Sequence, residues 1–179
     1  GADRRTRERE ILGPIPRVLS EVEQLLGQVL ERESLQDGLF RTSTLLPAAA
    51  IKECLVNAVV HRNYAVEGQA IEVLLHPSHV EFRSPGGIPE PLTLADLLRQ
   101  EPGVHRSRNP VMMRVLRDLG WTRDQGEGIQ RIFGSIRQAE LHEPELEVVA
   151  DTFIVRLSTR SIYDEATQSW ISAYSPFQL

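Results

Sequence analysis

Glu53, Asn57 and His61 stand four residues apart in the segment Ile51–Tyr64, whose remaining positions are mostly apolar. On a helix each step of four residues turns the chain by about 400°, a drift of about 40°, so the three side chains share one stripe. Ile51, Leu55, Ala58 and Val59 then face a core. A carboxylate, a carboxamide and an imidazole in line can hold a hydrated metal ion and a water molecule. Burying such groups without partners costs roughly 1 to 3 kcal/mol each, so the stripe is expected to be either solvated or employed.

Two glycine-rich turns offer complementary chemistry. Ser84-Pro85-Gly86-Gly87-Ile88-Pro89 follows an alternating run and breaks it with residues that cannot extend a central strand. Gly126-Glu127-Gly128 precedes a segment with Ile129, Ile132, Phe133 and Ile136 on one side, so it opens a helix. Unpaired amides at a helix N-terminus attract anions, and glycine allows the backbone to come close to them. Either turn alone is ordinary. In order with the Glu53 stripe they are the components of a nucleotide pocket.

The elements that must position these residues follow from periodicity. Residues 1–16 are charged and then carry Gly13, Pro14 and Pro16, which reads as a linker or arm. Arg17 to Ser34 is expected to be one amphipathic helix, and Leu39 to Leu46 a short strand. Pro47 suits the first turn of the stripe helix, which should end by Tyr64. Ala70–Leu75 and His79–Ser84 alternate around Pro77-Ser78 and form an antiparallel hairpin. Thr93 caps a helix reaching about Glu101, with Asp96 in its first turn. Asn109-Pro110 starts another helix that runs to Leu119. Glu145–Ala150 and Thr152–Arg160 close the sheet. The fold class expected is α+β: a two-layer sandwich of a mostly antiparallel sheet, about four or five strands, with helices on one face. Ser161–Leu179 carries Tyr163, Trp170, Ile171, Tyr174 and Phe177, so it is expected to pack on this domain, on a second copy or on a following domain.

Composition narrows the function. The 179 residues suffice for one core without cross-links. The single cysteine, Cys54, lies on the apolar helix, excludes an internal disulfide and suits a reducing compartment. No apolar run approaches the roughly 20 residues of a membrane span, and the charged stretch Asp3–Glu10 is no signal peptide, so a cytoplasmic location is expected. A net charge of −5 argues against this domain gripping duplex DNA by itself. Arg99, Arg106, Arg108 and Arg114 accordingly read as a solvated face. DNA is expected to be reached through neighbouring domains.

The motifs Glu53-Cys54-Leu55-Val56-Asn57-Ala58-Val59-Val60-His61-Arg62-Asn63-Tyr64, Arg83-Ser84-Pro85-Gly86-Gly87-Ile88-Pro89, Ser107-Arg108-Asn109-Pro110 and Gly126-Glu127-Gly128-Ile129 together resemble a known family. It is that of the RecG-related ATP-dependent DNA helicase C-terminal domains. These are related to the GHKL (Bergerat-type) ATPases and often occur in transcriptional regulators beside an AlbA-like Schlafen domain. The resemblance spans Arg17 to Arg160. It implies that Glu53 orients or deprotonates the attacking water and that Asn57 ligates Mg²⁺. It also implies that Ser84, Gly86 and Gly87 line the base and ribose, and that Gly126 and Gly128 hold the phosphates. The implied cofactor is ATP or ADP with Mg²⁺. His61 and Arg62 sit where an anion could be met, and structural roles are expected of both.

The chain departs from the wider ATPase pattern in two places. Where those enzymes carry an adenine-reading aspartate, this sequence has Ser84, a neutral and weaker acceptor. A glycine-rich lid is also not evident between Leu92 and Trp121. No G-x-x-x-x-G-K-[ST] phosphate loop is present, so helicase activity in its own right is not expected. Two readings follow. One is a nucleotide-binding regulatory domain of a bacterial DNA-associated protein, with slow ATP hydrolysis and a homodimeric state. The other is a non-catalytic dimerisation or interaction module with a degenerate pocket.

Overall fold

The computed structural model describes residues 8–36, 39–100, 107–122, 127–164, 166, 167 and 170. The first helix, α1 (Ile15–Val29), has a proline in its first turn and buries Leu19 and Leu26. It is shorter than the periodicity suggests. After Leu30 the chain reads Glu31-Arg32-Glu33-Ser34, with no apolar side chain to hold a further turn on the core. Instead Glu31–Gln36 is a strand, β1, paired in antiparallel register with β2 (Leu39–Thr44). This two-stranded hairpin is separate from the main sheet.

Helix α2 (Ala48–His61) follows Pro47 and is buried on almost every side, including Ala50, Ile51, Cys54, Leu55, Val56, Ala58, Val59 and Val60. It is the central helix. Strands β3 (Glu72–Leu75) and β4 (His79–Pro85) form the expected hairpin. Helix α3 (Leu94–Arg99) is held by a capping box in which the Thr93 hydroxyl accepts from the Asp96 amide and the Asp96 carboxylate accepts from the Thr93 amide. Helix α4 (Pro110–Asp118) starts on its proline. Helix α5 (Gly128–Gln138) buries Ile132, Phe133 and Ile136. Strands β5 (Glu145–Val149) and β6 (Thr152–Ser158) complete a four-stranded antiparallel sheet in the order β3-β4-β6-β5.

The register divides the sheet into two unlike faces, because successive side chains point to opposite sides. Val80 pairs with Leu157 and Phe82 with Val155, and this face joins the core with Leu19, Leu26, Val56, Val60, Leu116, Ile132 and Ile136. The opposite face carries Glu81, Arg83 and Arg156. Glu81 is buried and accepts from Arg83 and from Arg156 Nε, the latter at 2.6 Å. Burial alone would raise its pKa, but the hydrogen bonds from Arg156 and Arg83 outweigh that and hold it below the ordinary value. The helices therefore lie on one face of the sheet. Among the described residues no helix is long and apolar enough to cross a membrane.

Candidate functional site

The stripe on α2 exists, and its surroundings are tight. Glu53 is only 7% exposed, while Asn57 and His61 are partly buried. The cause is α5, whose first residue, Gly128, lies directly on the stripe. A Cβ at Gly128 would stand 2.9 Å from Glu53 Oε2 and 3.1 Å from Asn57 Nδ2. Three residues further along α5, Arg131 brings its Nε to 3.5 Å from Glu53 Oε1. Burial raises the Glu53 pKa, and the charges of Arg131 and Lys52 oppose that rise. A carboxylate moved towards neutrality is chemically suited to accept a proton. Beside it Cys54 is a fully buried core thiol whose pKa is pushed far up by burial and further by Glu53.

The first glycine turn meets the other end of α2. Ser84 is buried, and its Oγ donates to the Ala58 carbonyl at 2.7 Å, so it ties β4 to α2. Gly86 adopts φ +103, a conformation that L side chains rarely take, and its amide donates to the Asp151 carbonyl at 2.6 Å. The Gly87 amide donates to Asp151 Oδ1 at 2.7 Å. Arg108 lies across this turn: its Nη2 donates to the Gly87 carbonyl at 2.8 Å, and a Cβ on Gly86 would collide with its Nη1 and with Asn63. Arg108 is thus lodged in the turn, not on the solvated face expected of it. Next to it, Asn109 Nδ2 donates at 2.8 Å to both the Val60 and Arg62 carbonyls, closing the C-terminus of α2. Arg62 organises the following loop through the carbonyls of Asn63, Val66 and Gln69.

The fold therefore assembles two clusters along α2. Glu53, Asn57 and Gly128 meet at its seam with α5. Ser84, Gly86 and Gly87 meet at its C-terminal end, under Arg108. Gly126 lies outside the described residues. Arg131 and Asp151 carry contacts that residue types and spacing did not single out, and Asn109 has a role beyond the helix start expected of it. Only Asn109 had a signal, its place in the Ser107–Pro110 motif. No glycine-rich lid stands in the described part of 92–121, which holds α3 and α4.

Whether these residues fit a magnesium nucleotide can be tested on the seam itself. The donors are right in kind: a carboxamide and a carboxylate suit Mg²⁺, and the N-terminus of α5 has no side-chain cap. They are, however, in contact with one another. A Cβ on Gly128 would displace the ends of the Glu53 and Asn57 side chains by a few tenths of an ångström, and Arg131 opposes, without cancelling, the effect of burial on Glu53. The donor types suit the group, and the contacts at Gly128 are with the ends of the Glu53 and Asn57 side chains; the turn before Gly128, residues 123–126, lies outside the described residues.

The class of protein is set by this fold and site: an α+β domain whose helices back a four-stranded antiparallel sheet, with a polar helix stripe between two glycine turns. Residues 68–157 match the sequence model of the family described as "Putative ATP-dependent DNA helicase recG C-terminal", and the chain belongs to that family. The matched stretch holds both β-hairpins of the sheet and both glycine turns, but begins after the Glu53 stripe. Among solved structures the chain is similar to the DIP2311 protein from Corynebacterium diphtheriae, with TM-score 0.70 and 25% identity over 79% of this chain. It covers only 29% of that protein's chain. Comparison with curated protein sequences finds no match.

Proposed function

We propose that the domain is an ATPase-related regulatory module of a bacterial DNA-associated protein, in which the stripe and glycine turns clamp the fold together instead of turning over nucleotide. The observation that carries this reading is the close contact at the seam: Gly128 against Glu53 and Asn57, with Arg131 on Glu53. An exposed apolar row, Val111 and Val115 on α4 with Leu119 at its C-cap, supports an interaction role. The partner proposed for it is a second copy of the chain. With a net charge of −5, DNA is approached through neighbouring domains.

A second reading keeps ATP or ADP with Mg²⁺ as ligand, with Asn57 on the metal, Glu53 as base and Gly126 and Gly128 on the phosphates. The uncapped N-terminus of α5 beside a carboxylate of raised pKa favours it, and it requires α5 to move away from α2. Thermal melts with Mg²⁺-ATP, ADP and GTP separate the two. A ligand at about 100 times its dissociation constant adds roughly 2.7 kcal/mol. The clamp reading expects no shift with any nucleotide. A shift of several degrees that Asn57→Ala removes would replace it with the nucleotide reading.

A further inference from the structure

The polar face of the sheet carries a second constellation, unconnected with the seam. His76 and His79 flank Pro77-Ser78 at the tip of the β3–β4 hairpin, where the His76 amide donates to the His79 carbonyl at 2.9 Å. Their imidazoles stack with centroids 4.3 Å apart and planes 12° from parallel. Two residues along β4, Glu81 points to the same side. One ligand atom from each of the three lies within 4.8 Å of the others.

We propose that His76, His79 and Glu81 form a binding site for a divalent transition-metal ion, zinc being the ion of choice. Two imidazoles and one carboxylate are a donor set suited to Zn²⁺, with the remaining position open to water. Ligand atoms sharing a zinc at about 2.0 to 2.1 Å stand about 3.3 Å apart in a tetrahedron, so the rings need only swing together by a small χ rotation. His76 is exposed and His79 partly so, so neither ring is enclosed by the core.

The surroundings favour the ion. His79 Nδ1 lies 3.2 Å from Ser78 Oγ, a contact that orients the ring and leaves Nε2 for the metal, as supporting hydrogen bonds do in metal sites. Glu81 accepts one hydrogen bond on each oxygen, from Arg83 and Arg156, and a carboxylate has lone pairs beyond those two. The two guanidiniums do not leave the face cationic. Glu72 lies 3.6 Å from Arg83, and Glu147 and Glu145 lie 2.7 Å and 3.8 Å from Arg156. With Glu81 that makes four carboxylates to two guanidiniums on this face.

The test is titration of the full chain with Zn²⁺ by calorimetry and with Co²⁺ by visible absorption. The expected result is one saturable site per chain, with Co²⁺ bands typical of low coordination number. His76→Ala and His79→Ala should each weaken binding by at least the roughly 10- to 100-fold that loss of a mere supporting partner costs. His142→Ala should leave it unchanged. His76 is exposed at a hairpin end, so His76→Ala should melt with the wild type in the absence of metal. Absence of saturable binding in the micromolar range, or binding equally tight in His76→Ala and His79→Ala, would overturn the proposal.

Discussion

Across the seam of α2 and α5, the Glu53 carboxylate stands 3.5 Å from the Arg131 guanidinium, and a Cβ on Gly128 would press on Glu53 and Asn57. A residue whose sequence context suggests a catalytic base is therefore also part of the packing.

Glu53 and Glu81 should respond to pH in opposite senses. The folded-state pKa of Glu53 is raised above the ordinary 4.5 by burial, so the folded protein keeps a proton that the unfolded chain has lost. Stability then falls as pH rises from 4.5 through the folded value, and Glu53→Gln should gain on the wild type over that interval. The folded-state pKa of Glu81 is lowered, so its contribution is present above the unfolded value and is lost as pH falls through the folded one. Glu81→Gln should cost roughly 2 to 3 kcal/mol at neutral pH, between the exposed and fully buried limits, and converge on the wild type in acid. Urea midpoints at a series of pH values check both; parallel pH profiles for the two variants would contradict them.

Gly86→Ala should destabilise by about 2 kcal/mol or more, because φ is +103 and the new methyl meets Arg108 and Asn63. In an Arg108→Ala background part of this cost should disappear while the backbone strain stays. Chemical denaturation of the four chains of this cycle measures the coupling.

At Gly128 the sign depends on neighbours. Alanine is preferred to glycine inside helices by about 1 kcal/mol, but here its methyl would press on Glu53 Oε2 and the Asn57 amide. Gly128→Ala alone is expected to lose about 1 kcal/mol, as overpacked sites do. Combined with Asn57→Ala it should be near neutral. Equal effects in both backgrounds would show that the seam is looser than these distances.

Asn109→Ala removes two hydrogen bonds at the C-terminal end of α2, those to the carbonyls of Val60 and of the C-cap Arg62. A loss of about 1 to 3 kcal/mol is expected, together with faster amide exchange confined to the end of α2 and the loop after it. Uniform acceleration across the sheet would instead mark a global effect.

Local chemistry made much of this protein legible in advance. Alternation alone assigns Val80, Phe82, Val155 and Leu157 to one sheet face, since the strand period is two. Thr93 with Asp96, and Pro110 after Asn109, announce helix starts because they answer unpaired amides or tolerate having none. The stretch that departs from the periodicity is Glu31–Ser34, which lies past the last apolar residue of the helix and joins the strand Glu31–Gln36. The Asp-Gly pair at 37–38 is a hairpin signal that outweighs the periodicity. The types and spacing of Glu53, Asn57 and Gly128 likewise stand in the sequence. Whether the space between them is open does not, because it depends on how closely α5 approaches α2. That approach is set by Ile132, Phe133 and Ile136 packing into a core built from distant parts of the chain. Arg131 and Arg108 acquire their partners only through the same long-range packing, and with them the stripe becomes a clamp.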